Sequence, residues 1–298
     1  MLSNTNSMDW YVPGVNIDSS HIAEYNINSE DRELFLKDGA IRLPGVFNDW
    51  VEPLRRGFQR NIDNPEEYAF PCESNPAGKP GSFFDSYCNW QRIPEYLDFL
   101  QSSCAASMAG QFTNSEFVRF FHEHAFQKSA GTQQATPWHQ DIPYYCVDGQ
   151  KTISVYVSLD YSPKNVAVQF LKGSHRWSKL FHPRAFLDGS NFDQQHAVVN
   201  SQTITEPVPD DAIARGDYGI LSWDLEPGDA ILFDFRTLHG TTDAEVKSTR
   251  RAFSTRWLGD DVTYCERPVE TSPPYRDHGM RDGDDLRDDW FPIVWRST

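Results

Sequence analysis

Hydrophobic and polar positions divide the chain into a helical first third and a strand-rich remainder. Residues 1–28 show no clear periodicity and are expected to wrap the surface or remain loose. From Asn28 the run Asn-Ser-Glu-Asp-Arg-Glu-Leu-Phe-Leu-Lys-Asp-Gly predicts a capped helix: Asn28 or Ser29 accepts orphan amides, acids crowd the first turn, and Gly39 ends it. Residues 40–43 read as a short strand. Residues 48–61 place Trp50, Val51, Leu54 and Phe58 on one helical side and Arg55, Arg56 and Arg60 on the other. Residues 62–82, rich in Pro, Gly and Asn, predict a long loop near a pocket mouth. Residues 93–112 carry one or two helices that buttress a sheet.

From Glu116 the period changes to two. Phe117, Arg119, Phe121 and Glu123 alternate with Val118, Phe120, His122 and His124. Asp148-Gly149 is a tight-turn dipeptide, and 151–160 is the strand that returns from it. In that strand Ile153, Val155, Val157 and Leu159 form an apolar face, while Thr152, Ser154, Tyr156 and Ser158 form a polar face suited to lining a cavity. Residues 165–171, 219–223, 229–235 and 250–258 supply further strands. Residues 177–215 read as an insertion, and the apolar end from Trp290 to Trp295 as an arm that packs back. Many short strands with turn punctuation predict a mainly β protein with flanking helices around a double-stranded β-helix, the jelly-roll or cupin-like core. The expected organisation is one domain over 1–298, with 1–116 as N-terminal arm and buttressing helices, 117–262 as core and 263–298 as docking tail.

Composition narrows the setting. With 39% hydrophobic and 14% aromatic residues the chain holds enough apolar surface for a packed core. A net charge of -16 repels phosphate backbones and excludes nucleic acid as a partner. The acidic run Asp277, Asp282, Asp284, Asp285, Asp288 and Asp289 is read as a solvated face. No apolar run is long enough to span a membrane, and residues 1–8 are polar, so a cytoplasmic protein is expected. Five cysteines, odd in number and scattered, fit reduced thiols rather than a disulfide framework or paired zinc site.

Candidate chemistry centres on Trp138-His139-Gln140-Asp141. In an extended strand residues two apart share a face, so His139 and Asp141 would present an imidazole and a carboxylate together. About a hundred residues on, Leu238-His239-Gly240 follows an apolar strand and offers a third donor. Two His and one Asp form the facial triad of non-haem Fe(II) oxygenases, which leaves three positions of an octahedron open. Arg250, eleven positions after His239, has the planar, permanent charge that suits the far carboxylate of a 2-oxoglutarate cosubstrate. Arg251 faces the other way and is expected in a surface pair. Neither His122 nor His124 is read as a metal ligand, His122 is a candidate for lining the pocket, and His175 is read as a loop-stabilising residue. For Trp90, Tyr144, Tyr145 and Trp257 core packing is the leading role.

The chain resembles the phytanoyl-CoA dioxygenase family of Fe(II)/2-oxoglutarate enzymes. The matching blocks are Thr136-Pro137-Trp138-His139-Gln140-Asp141, Lys172-Gly173-Ser174-His175-Arg176, Glu226 to Phe233 with Leu238-His239-Gly240, and Arg250-Arg251-Ala252-Phe253-Ser254. Lys172 departs from the proline common there. The resemblance implies His139, Asp141 and His239 as iron ligands and catalytic centre. It implies Arg250 and Thr241 as 2-oxoglutarate contacts, with Lys128 and Tyr156 beside them and the His122 strand next to the cosubstrate. Fe(II), 2-oxoglutarate and O2 are then the cofactors. The expected reaction is hydroxylation of an unactivated C–H bond of a small-molecule metabolite, with desaturation, ring closure and epimerisation open to the same oxidant, and with release of succinate and CO2. Two rival readings are a cupin-like metal isomerase or hydrolase without 2-oxoglutarate, which the spacing of Arg250 opposes, and a catalytically idle binding protein on the same fold.

Overall fold

The computed structural model describes residues 10–64, 72–74, 80–186, 189–190, 198–199, 203–242, 244–267 and 270–297. The expectations for residues 1–9, and for parts of 62–82 and 177–215, fall outside these.

Helix α1 (Ser29–Asp38) carries the predicted caps: the Asn28 side chain accepts from the Asp31 amide, and Gly39 at φ 82° donates its amide to Phe35 O. Strand β1 (Ala40–Leu43) follows, then α2 (Val51–Asp63), which buries Val51, Leu54 and Phe58 as expected. The stretch 62–82 is not loop throughout, because β2 (Cys72–Ser74) lies within it and pairs with β3 (Phe83–Tyr87), a strand whose polar centre, Asp85-Ser86, hides its periodicity. Helices α3 (Pro94–Ser102) and α4 (Ala105–Thr113) precede the twelve-residue β4 (Phe117–Lys128). Then come β5 (Val147–Asp148), β6 (Thr152–Ser158), β7 (Gln169–Leu171), β8 (Leu180–Phe181), β9 (Val198–Val199), β10 (Thr203–Glu206), α5 (Asp210–Ala214), β11 (Ile220–Leu221), β12 (Ala230–Phe233), β13 (His239–Gly240), β14 (Arg250–Leu258), β15 (Thr263–Tyr264) and β16 (Ile293–Arg296).

The main sheet runs β1-β12-β6-β14-β4-β3-β2, with β16 also paired to β4. A second sheet, β11-β7-β13, faces it and extends through a bridge between His139 and His239. Two packed sheets of this kind are the double-stranded β-helix expected from the sequence. Period-two alternation explains the layering. On the outer face Phe253 packs against Tyr96 and Phe99, with ring centroids 4.5 and 5.5 Å away, so the helices cover the sheet. On the inner face Ile231 and Phe233 of β12 meet Phe170 of β7. The same face carries the polar residues Ser154, Tyr156, Arg250, Ser254 and Arg256.

Two local expectations need correcting. Asp148-Gly149 does not close a hairpin onto 151–160: β5 pairs with β15, and the Asp261 carboxylate accepts from the amides of Gln150 and Lys151 and redirects the chain. β6 instead lies between β12 and β14. The strand over 165–171 shrinks to three residues, since the Val166 and Ala167 amides turn back to Pro163 O. Within the insertion β8, β9 and β10 make a small sheet of their own. Strand β16 of the C-terminal arm pairs beside the first residues of β4.

Candidate metal centre

His139 and His239 face each other across an antiparallel bridge and exchange both backbone hydrogen bonds at 2.9 Å. Asp141 is not extended as predicted. Its φ and ψ of -74° and -40° start a short 3-10 turn through Pro143, and its amide donates to Phe235 O at 2.9 Å. The turn still brings its carboxylate home: Asp141 Oδ1 lies 3.7 Å from His139 Nε2 and 3.6 Å from His239 Nε2. Among the described residues these three are the set of His, Cys, Asp or Glu that converges, with ligand atoms all within 4.8 Å of one another.

The residues present fit a metal. His139 Nδ1 is 2.8 Å from Pro137 O and His239 Nδ1 is 2.9 Å from Thr237 O. A carbonyl only accepts, so each Nδ1 must carry the proton and each Nε2 presents a lone pair to the centre. Burial pushes both imidazoles down, His139 to about 3, which keeps them neutral and able to ligate. Burial alone would raise Asp141, but His239, Arg256 and His139 outweigh it and hold the carboxyl below its ordinary value. The three donor atoms lie close enough together to be shared by one cation.

Around the other end of the inner face gather the residues expected at the cosubstrate. Arg250 and Lys128 are direct partners across the β14–β4 ladder. Arg250 is half-buried and its Nη1 donates to Ser162 Oγ at 3.1 Å and to Val166 O. Lys128 is buried, and burial, reinforced by Arg250, lowers its ammonium to about 7. Its Nζ donates to Gln134 O at 2.6 Å and to Thr241 Oγ1 at 3.1 Å. Tyr156 lies near Arg250 on the same inner face, and burial raises its phenol above the ordinary value. His122 is not with this group: it pairs with Arg256, six positions along β14 from Arg250. Its neighbour His124 contacts the Asp85 carboxylate. Arg251 makes the expected outward pair, with Nε and Nη2 each 2.8 Å from Asp160. His175 Nε2 binds Leu36 O at 3.1 Å and so ties its loop to α1. Trp90 and Trp257 are core residues, and Tyr144 stands beside His139 at 5.8 Å between ring centroids.

One residue escaped the sequence reading. Arg256 is buried, its Nη2 lies 3.8 Å from Asp141 Oδ2, and its Nε donates to Tyr145 Oη at 3.2 Å. The signal was present in parity, since Arg256 shares the inward face of Arg250. A separate cleft of about 520 Å³, lined by residues of 14–24 and 288–296 including Glu24, Asp288 and Trp295, contains none of these groups.

Fold and donor set together define a 2-oxoglutarate-dependent non-haem iron oxygenase. The sequence matches the phytanoyl-CoA dioxygenase (PhyH) family over residues 35–252, and the chain belongs to that family. No curated protein matches it. Similar solved structures include the epimerase SnoN from nogalamycin biosynthesis in complex with Fe3+, alpha ketoglutarate and nogalamycin RO, at 16% identity, 89% of this chain, 98% of that chain and TM-score 0.66. EvdO2 from Micromonospora carbonacea var. aurantiaca, complexed with 2-oxoglutarate, is 22% identical over 83% of this chain and 96% of its own, with TM-score 0.58. EctD from S. alaskensis, with 2-oxoglutarate and 5-hydroxyectoine, is 17% identical over 92% and 91%, with TM-score 0.60.

Proposed function

We propose that His139, Asp141 and His239 hold one Fe(II), that Arg250 grips the far carboxylate of 2-oxoglutarate with Thr241, Lys128 and Tyr156 beside it, and that the chain hydroxylates an unactivated C–H bond of a small-molecule metabolite. The observation that carries this is the meeting of two Nε2 lone pairs and one carboxylate oxygen in a buried spot, with both Nδ1 atoms capped by carbonyls. When bound, iron with 2-oxoglutarate and O2 supplies an oxidant that removes a substrate hydrogen, while the keto acid leaves as succinate and CO2. The protein's own residues orient and seclude: the Arg250 guanidinium and the Lys128 ammonium give a dianion two cationic partners. His122 lines the same inner face at the Arg256 end, and the apolar walls from Phe170 and Phe233 keep water out.

The same reading takes 1–298 as one catalytic domain. Strands β1, β2 and β3 from 1–116 and β16 from 263–298 join the sheet of the 117–262 core, which supports it. No helix among the described residues is long and apolar enough to cross a membrane. Four free thiols among the described residues fit a cytoplasmic setting.

Anaerobic addition of Fe(II) and 2-oxoglutarate to the apoprotein is expected to give the weak visible charge-transfer band of a chelated keto acid. Absence of the band in a folded, metal-loaded sample overturns the reading. Metabolites that raise succinate release then identify substrates. A second outcome, rearrangement, is favoured by the SnoN epimerase and the SnoK carbocyclase among the similar structures. Product mass separates them, because hydroxylation adds an oxygen, epimerisation leaves the mass unchanged and ring closure removes two hydrogens.

A further inference from the structure

The two oxygens of the Asp141 carboxylate have different surroundings. Oδ1 faces both imidazole Nε2 atoms at 3.6 and 3.7 Å. Oδ2 faces away from them, toward Ser154 Oγ at 3.4 Å and the Arg256 guanidinium at 3.8 Å. Arg256 is 4% exposed, and it is fixed on two further sides, by Tyr145 Oη and by Ser254 O, each at 3.2 Å. The β14–β4 register also shifts between Arg256 and Trp257. Such bulges re-aim a side chain next to a site.

We propose that Arg256 is a positioning residue that holds Asp141 Oδ2 out of the metal's coordination sphere, so that Asp141 ligates through Oδ1 alone. This rests on the iron assignment above. The consequence is a matter of counting. Three protein atoms leave three octahedral positions, two for a chelating keto acid and one for O2. A two-oxygen Asp141 would occupy a fourth and leave none for O2 once 2-oxoglutarate is bound. The attraction between a buried guanidinium and a buried carboxylate is screened far less than in water, which makes Arg256 an effective counterweight to a divalent cation. Ser154, a weaker neutral donor at the edge of hydrogen-bonding distance, acts in the same direction.

The test uses the full chain loaded anaerobically with Fe(II), with nitric oxide as a probe of the open position and the high-spin iron–nitrosyl EPR signal as readout. Wild type is expected to give the signal with and without 2-oxoglutarate. Arg256→Met is expected to keep it without 2-oxoglutarate and to lose it about tenfold with 2-oxoglutarate present, in the range typical of groups that orient a metal ligand. Arg256→Lys restores part of it. If removal of the buried guanidinium prevents folding, Tyr145→Phe, which deletes a hydroxyl that meets both Arg256 and the Asp141 carboxylate, is expected to shift the signal in the same direction. A full signal with 2-oxoglutarate in Arg256→Met, or in Tyr145→Phe if Arg256→Met does not fold, overturns the proposal. A uniform loss with and without 2-oxoglutarate also overturns it, as the mark of a merely structural arginine. Failure of wild type to show the charge-transfer band is distinct, and it sinks the iron assignment instead.

Discussion

Two buried groups whose protonation is displaced by burial give residue-scale tests. Lys128 is lowered to about 7, first by burial and then by Arg250. Below that pH it is a cation and strengthens the hold on a dianion; as pH rises through about 7 the charge is lost. The apparent affinity for 2-oxoglutarate is therefore expected to fall severalfold between roughly pH 6 and 8.5, and Lys128→Met to be weak and flat over that range. Equal pH dependence in both proteins, measured by titration of the charge-transfer band, would remove Lys128 from the pocket. Glu123, on the outer face of β4, is raised to about 8 by burial, although it accepts the Asn89 amide. Its folded value lies above its unfolded one, so its contribution is fully present below about 4.5 and is lost as pH rises through about 8. Stability is expected to decline across that window by up to about 1.4 kcal/mol per pH unit from this group. Glu123→Gln should flatten the decline in urea midpoints, and an unchanged slope would show that the carboxyl finds relief elsewhere.

At the scale of elements, β13 must approach the segment that carries His139 closely. A Cβ on Gly240 would stand 2.8 Å from Thr136 O and 3.2 Å from the Trp138 amide nitrogen, too near for either backbone to yield cheaply. Gly240→Ala is expected to push the two ligand-bearing segments apart and weaken Mn(II) binding about tenfold while the main sheet survives. Unchanged affinity by EPR titration would mean that the bridge does not set the ligand spacing. The same elements show what the sequence could disclose. Helices α1 to α4, with β4, β6, β12 and β14, were legible because their alternation matches the layers they separate, and three triad members were legible as residue types in order. The turn at Asp141 was not, because its cause, an amide bonded to Phe235 O, lies almost a hundred positions away. Pairing of β5 with β15 and of β16 with β4 was hidden for the same reason. Arg256 was readable in principle by parity from Arg250, but only Asp141 opposite it gives that parity a meaning.

Taken as a whole, the molecule carries a net charge of -16 while its inner face concentrates Arg250, Lys128 and Arg256. The two ligands expected at the site feel this contrast in opposite ways. A divalent cation approaching from solvent is drawn in by the overall field and loses that help as salt shortens its reach. The screening length falls from about 30 Å at 0.01 M to about 8 Å at 0.15 M ionic strength. Dianionic 2-oxoglutarate is repelled at long range and attracted only at contact, where buried cations are little screened. Salt should then slow metal association and speed cosubstrate association, each by roughly a factor of two to ten over that interval. Stopped-flow traces of Mn(II) loading and of charge-transfer band formation on the Fe(II) protein measure the two rates separately. If both fall with salt, the positive inner face rather than the acidic exterior governs entry of the cosubstrate, and the mouth of the site must lie where the local potential is already positive.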